Sequence, residues 1–487
     1  MDTPPFINRA TELQRLQSHW ASGRAELLVA TGRRRVGKSR LLEHFFRDKP
    51  SVHIVGTLQK TAVQLADASR ELYRAIGDPI LQHQDFDSWD ALLTYVGEYA
   101  RSRRAGFIID EFAYYCDESP ELPSIVQRWW DRIGQRTQIM LVLAGSHVAF
   151  MENLVLGGQA LYGRQTGELR LHPFDYADAG RFFPGYTPED RLRAYGVFGG
   201  MPAYLVACDE AAALAENISR TVLRDDAYLR REPLYLLSQE RSVDRPRAYL
   251  SVLRAIAQGH TQPSGIAMAA GFRSASDVAP LLERLREFRL VERIIPITAE
   301  EGGRISKYVL TDHFLAFWFR FVQPAEAALE QGALSWVLQQ RILPELHRFV
   351  SRAQGPWEGA CQDFLWRAFV AGQLGDIGFD RLGPWWEGRG ASDSMEIDIV
   401  GLDGVHMALA ASCKWRNEYA KIGDLDDLKR AAARIGATDR THYVLFSRSG
   451  FDPSLVTRAQ AEGVRLITPE DMFADAVLEA SMAPNDT

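Results

Sequence analysis

Cysteine is scarce in this chain, with Cys116, Cys208, Cys361 and Cys413 the only four among 487 residues. No two share the short spacing of a zinc ligand pair or of a secreted disulfide framework, so neither is expected. Long apolar runs are also missing. Phe107–Ile109, Ile139–Ala144 and Phe314–Phe319 all stop far short of the roughly 20 residues that cross a bilayer, so no membrane partner is expected. The opening residues, MDTPPFINRATEL, lack a basic stretch leading into an apolar one; no secretory signal is read and a cytoplasmic location is expected.

Lysine is the rare cation. Of 56 basic residues only seven are lysine, at 38, 49, 60, 307, 414, 421 and 429. Arginine fills the surface role, so a retained lysine marks a place where a compact ammonium has its own chemistry. The net charge of −7 excludes a chain coated with positive charge for nucleic acid, but not a local basic face. What the sequence does have is the balance of a folded protein, 46% hydrophobic and 24% charged, and a length that suggests about three domains.

Glu26–Thr31 (ELLVAT) reads as a strand. Gly32, Arg33, Arg34, Arg35, Val36, Gly37, Lys38 and Ser39 follow at once, and RLLEHFF then reads as a helix. Strand, glycine loop and helix in that order form the context of a phosphate-binding loop. Its glycines let main-chain N–H groups converge on phosphate oxygens at a helix N-terminus, where the dipole already favours an anion. Lys38 is placed to reach the outer phosphates and Ser39 to ligate Mg²⁺, so ATP and Mg²⁺ are the expected cofactors.

Such a loop needs an acidic partner at the end of a buried strand. GFII at 106–109 leads directly into Asp110 and Glu111. Asp110 is expected on the metal and Glu111 as the base that polarises the attacking water. A further strand at Ile139–Ala144 ends in Gly145 and Ser146, which places Ser146 near the nucleotide, because ligands of open α/β sheets sit at the carboxyl ends of strands. Strands at Val52–Val55 and Leu169–Leu171 complete a parallel sheet with helices on both faces.

The stretches FINRATEL, GRRRVGKS, IIDEF, AGS and LYGRQTGELRLHPF resemble the AAA+-related P-loop ATPases of archaea and bacteria, close to the STAND class. The resemblance covers the whole chain and implies an ASCE-type P-loop ATPase core at 1–185, a helical lid at 186–245, a winged helix at 246–325 and a PD-(D/E)xK nuclease-like domain at 326–487. It implies that Phe6–Arg9 borders the adenine and ribose, that Ser146 is a sensor, and that Pro202 in FGGMPAYL lies against the adenine. The nucleotide-binding set is then Gly32 through Arg40 with Arg9 and Pro202. Arg164 in YGRQTG is a candidate γ-phosphate sensor or an ordinary surface arginine.

In the middle of the chain, helices are expected at Ala248–Gln258, Ser264–Ala270 and Asp277–Phe288, the last capped by Ser274 or Ser276. A strand, a turn at Glu300–Gly303 and a second strand follow. This is the winged-helix order. Ten basic residues face six acidic ones between Arg245 and Thr311. Arg273, Arg284, Arg286, Arg304 and Lys307 are candidates for phosphate contact, with an internal packing role as the alternative. FLAFWFRF at 314–321 is expected as a buried helix rather than a base-stacking surface.

Toward the C-terminus a helix at Trp357–Phe369 bears Glu358, and strands are expected at Met395–Gly401, Val405–Lys414 and His442–Ser447, with a helix at Leu425–Arg434 before the last. By the resemblance Glu358 and Asp398 hold Mg²⁺ and Lys414 steadies the phosphorane. Ser412 stands where that family has an acid, and a hydroxyl is the weaker ligand. Glu396, on the same face of the strand as Asp398, is a candidate replacement.

Three functions follow: an ATP-driven switch or motor acting on nucleic acid, a metal-dependent nuclease gated by ATP, or a non-catalytic nucleic-acid-binding regulator with a decayed nuclease site. DNA, a second copy of the chain and a protein partner are the candidate partners.

Overall fold

The computed structural model describes residues 6–238, 245–300, 305–387 and 395–474. Two compact units divide the described residues, one running Asn8–His172 and the other taking Pro173 onward together with Phe6 and Ile7.

The first unit is a five-stranded sheet of β1 (Glu26–Thr31), β2 (Ser51–Val55), β3 (Ala105–Asp110), β4 (Ile139–Gly145) and β5 (Gly167–Arg170). The order is β2-β3-β4-β1-β5 and every pairing is parallel. β1, β3 and β4 are buried along their whole length. Parallel strands covered on both faces read as unbroken apolar runs, which is why ELLVAT, AGFIID and IMLVLAG show no alternation. The expected strand boundaries hold to within one or two residues.

Helices α1 (Ala10–Ala21), α2 (Lys38–Phe46), α3 (Thr61–Ile76), α4 (Trp89–Tyr99), α5 (Phe112–Glu118), α6 (Leu122–Arg132) and α7 (Val148–Asn153) connect the strands. α2 buries Leu41, Leu42, Phe45 and Phe46, a stripe at i, i+1, i+4 and i+5 that suits a helix lying on a sheet. β4 sits between β1 and β3. The sheet order therefore brings the ends of β1, β3 and β4 side by side, where the loop, the acidic pair and Ser146 stand.

The second unit opens with helices Tyr176–Gly180, Pro188–Phe198, Pro202–Val206 and Leu214–Ile218. Helices Pro246–Ala257, Pro263–Ala270 and Ala275–Glu287 precede an antiparallel pair, β6 (Val291–Ile294) and β7 (Lys307–Leu310). The third helix begins earlier than Asp277 because Ser274, in a reciprocal capping box with Asp277, is its cap. Arg304 and most of the expected turn lie outside the described residues. In FLAFWFRF the aromatic side chains are all buried, with Trp318 donating to the carbonyl of Arg230 at 2.8 Å.

A second five-stranded sheet ends the unit, in the order β12-β11-β10-β9-β8. Its strands are β8 (Arg381–Trp386), β9 (Glu396–Asp403), β10 (His406–Lys414), β11 (His442–Ser447) and β12 (Arg465–Ile467). β9 runs antiparallel to β8 and β10, whereas β10 and β11 are parallel. The helix Pro356–Val370 packs on β9 and β10.

Candidate nucleotide site

Gly32 leaves β1 through a close approach. A Cβ there would stand 2.7 Å from the carbonyl oxygen of Leu171, so no other residue fits without displacing main chain. Val36 is fully buried and its N–H closes a turn on the carbonyl of Arg33 at 3.2 Å. Arg34 is exposed, Arg35 has a φ of 69°, and Gly37, at φ 95°, caps α2. Arg40 lies in the first turn of α2, half-buried.

The Lys38 ammonium donates to the carbonyls of Gly32 at 2.8 Å and Arg33 at 3.4 Å. The side chain is 5% exposed and makes no ion pair among the described residues. Burial pushes its pKa down, with Glu111 and Asp110 pulling the other way. A buried cation whose direct hydrogen bonds go only to carbonyls has capacity left for an anion.

Ser39 Oγ donates to Asp110 Oδ2 at 2.5 Å, and the Glu111 N–H donates to Asp110 Oδ1 at 2.9 Å. His53 of β2, unremarked in the sequence, brings Nε2 to 3.4 Å from Asp110 Oδ2. Burial alone would raise the Asp110 carboxyl, yet His53, Ser39 and the Glu111 N–H together hold it below the ordinary aspartate value. Glu111 caps α5 with a left-handed backbone, φ 51°. Its carboxylate accepts both from the Ser146 N–H, at 3.1 Å, and from the Ser146 hydroxyl.

Arg9 is buried and its guanidinium is committed to main chain. Nη2 donates to the carbonyls of Val36, at 3.0 Å, and His172, at 2.8 Å, while Nη1 pairs with Glu12. It ties the loop to the start of α1 and to His172. Arg164 makes a forked pair with Asp131, 2.9 Å at both its Nε and its Nη2. Pro202 begins a short helix in the other unit. The preceding Gly200 is pinned there because a Cβ would fall 1.7 Å from the carbonyl oxygen of Phe174.

The second sequence-predicted set is assembled differently. Continuing the β9–β10 register from the Ile399–Ala411 pair, Ser412 stands across from Asp398 and Lys414 across from Glu396. Asp398 Oδ2 accepts from Ser412 Oγ at 3.0 Å and from the Cys413 N–H at 2.6 Å. Glu358 Oε2 accepts from the main chain and side chain of Gln354, at 2.8 and 3.1 Å. Glu396 is exposed and Lys414 half-buried. A cavity of about 730 Å³ adjoins Glu358 and Asp398, lined also by Glu292, Asp363, Arg293 and Arg381. Burial and the neighbouring Asp398 push Glu358 up to about 8. Among the described residues no group of three His, Cys, Asp or Glu side chains is placed to hold a metal ion.

The cations offered for phosphate contact are largely occupied. Arg284 pairs with Glu287 and Arg286 with Glu283, each one turn along the same helix, and Lys307 sits 4.1 Å above the Trp386 ring.

Residues 6–208 match the family described as an ATPase domain predominantly from Archaea, and residues 318–429 match archaeal and bacterial proteins of unknown function. An uncharacterized protein of Methanocaldococcus jannaschii is 28% identical over 446 residues, which is 90% of this chain and 94% of that one. A shorter uncharacterized ATP-binding protein of the same organism is 43% identical over 44 residues, 9% of this chain and 75% of that one. Among solved structures, the Walker-type ATPase of Pyrococcus abyssi aligns with a TM-score of 0.46 at 20% identity, covering 66% of this chain and 99% of that chain. The ORC2 protein of Aeropyrum pernix aligns with a TM-score of 0.42 at 14% identity, covering 68% and 96%. The glycine loop, its buried lysine and the adjacent acidic pair all fall inside the residues that match the predominantly archaeal ATPase domain, and the later match is to a segment of proteins whose function is unknown.

Proposed function

We propose that this chain binds ATP with Mg²⁺ at the ends of β1, β3 and β4 and hydrolyses it. The observation that carries the reading is the Lys38 ammonium, buried on the carbonyls of Gly32 and Arg33 and without an ion pair among the described residues. The main-chain N–H groups of residues 32–39 grip phosphate oxygens, and Lys38 turns from its two carbonyls to the outer phosphates. Ser39 and Asp110, already in contact, are the pair that would hold Mg²⁺, whose charge offsets that of the phosphates. Glu111, fixed by Ser146, orients the attacking water and accepts its proton. Arg9 keeps the loop in shape through its hydrogen bond to the Val36 carbonyl. Pro202 enters through the family resemblance alone.

For the C-terminal sheet, the specific contact of Ser412 with Asp398 favours a regulatory or binding role over cleavage. The oxygen of Asp398 that faces Ser412 accepts two hydrogen bonds, and the position that would bring a second carboxylate is a hydroxyl donor instead.

Phosphate release and fluorescent-nucleotide binding test the main reading in wild type, Lys38→Ala and Glu111→Gln. Lys38→Ala is expected to lose binding, whereas Glu111→Gln keeps binding and loses at least about a hundredfold in turnover. Normal hydrolysis by both variants would end the proposal.

A further inference from the structure

Strand β2 runs beside β3 with His53 paired to Ile108, two residues before Asp110. That register aims the imidazole along the strand toward the carboxylate. Nε2 comes to 3.4 Å from Asp110 Oδ2, is shielded from solvent, and makes no hydrogen bond of full geometry among the described residues. A shielded ring nitrogen without a partner is costly unless it gains one in another state of the site. The acceptor it faces is the oxygen that Ser39 Oγ now occupies at 2.5 Å.

The two oxygens of Asp110 are thus unequally provided for. Oδ1 has the Glu111 N–H at 2.9 Å. Oδ2 is shared between a serine hydroxyl that has its own business with the metal and a histidine at the edge of hydrogen-bond range. We infer that His53 is a positioning residue for Asp110. With Nε2 as donor, it would take over Oδ2 where the Ser39 hydroxyl is given to Mg²⁺, so the carboxylate keeps its orientation. The inference rests on the reading of Ser39 and Asp110 as the metal side of the nucleotide site. It assigns His53 no contact with nucleotide. Carboxylate ligands are commonly held by such outer partners, and removing one typically costs about 10–100-fold in metal affinity.

The test uses the full chain and a fluorescent ADP analogue, titrated with Mg²⁺ and compared with EDTA. In wild type Mg²⁺ is expected to tighten binding with a defined midpoint. His53→Leu should need at least about tenfold more Mg²⁺ while its affinity in EDTA stays that of wild type, a split that general damage to the fold would not produce. His53→Gln, which offers an N–H at a reach similar to Nε2, should recover most of the loss. Should the leucine variant fail to fold, His53→Asn carries the test, because its shorter side chain stays polar yet cannot reach Oδ2. Equal Mg²⁺ midpoints in wild type and a folded His53→Leu or His53→Asn overturn the inference. A wild-type chain that binds no nucleotide overturns the ATP site itself, a result visible before any variant is compared.

Discussion

Ser146 holds Glu111 twice, through its main-chain N–H and through its hydroxyl. The end of β4 therefore fixes the carboxylate at the end of β3. Ser146→Ala removes one of the two donors and leaves the other. Turnover is expected to fall about five- to tenfold, the equivalent of one hydrogen bond of about 1 kcal/mol, with nucleotide affinity little changed. Steady-state phosphate release alongside fluorescent-nucleotide binding separates the two effects.

Arg9 links the start of α1 to the glycine loop and to His172. Arg9→Ala strips two main-chain carbonyls of a charged donor and should destabilise the nucleotide unit by about 2 kcal/mol. Arg9→Lys restores charge but not the fork, so it should recover only part. Urea unfolding curves of the full chain measure both.

The approach of Gly200 to Phe174 leaves no space for a methyl group. Gly200→Ala should yield insoluble or misfolded protein, whereas Pro202→Ala should express and melt near wild type. Soluble yield and thermal melting provide the comparison.

Glu358 gives the C-terminal unit a signed pH dependence. Burial and Asp398 lift its folded pKa to about 8 from an ordinary value of 4.5. Between those values the folded state binds more protons than the unfolded one, so stability falls as pH rises through this window and levels off above it. Glu358→Gln should melt higher than wild type at pH 8 and show a shallower slope. The slope should not vanish, because burial and Asp175 raise Asp363 in the same direction. Melts across pH 5 to 9 would read this.

Ser412→Asp places the absent carboxylate opposite Asp398. In EDTA the variant should melt below wild type, since two carboxylates then crowd one site. Mn²⁺ should restore the loss in the variant and leave wild type unmoved. A variant indifferent to Mn²⁺ would show that the missing acid is not what separates this site from metal binding.

The nucleotide half was legible wherever the signal is local. Strand, glycine loop and helix are consecutive, and Asp110 and Glu111 follow their strand directly. His53 was not legible, because its meaning comes from the pairing of β2 with β3 and nothing in SVHIV announces that neighbour. The fork between Arg164 and Asp131 spans 33 residues and was equally hidden. β8 was not among the expected strands; it carries Pro384, which at an edge of the sheet costs no ladder bond. By contrast, the pairing of Arg284 and Arg286 with acids one turn away is written in the helix spacing itself. Pairs at that spacing leave fewer free cations for DNA phosphates.

Glu111 carries its carboxylate on a backbone better suited to glycine, at a cost of about 1 kcal/mol. Folding and chemistry therefore want different residues at this one position. Glu111→Gly should relax the turn but forfeit both Ser146 hydrogen bonds, so its melting temperature should not rise while turnover is abolished: the strained backbone is tolerated because the carboxylate it carries is held.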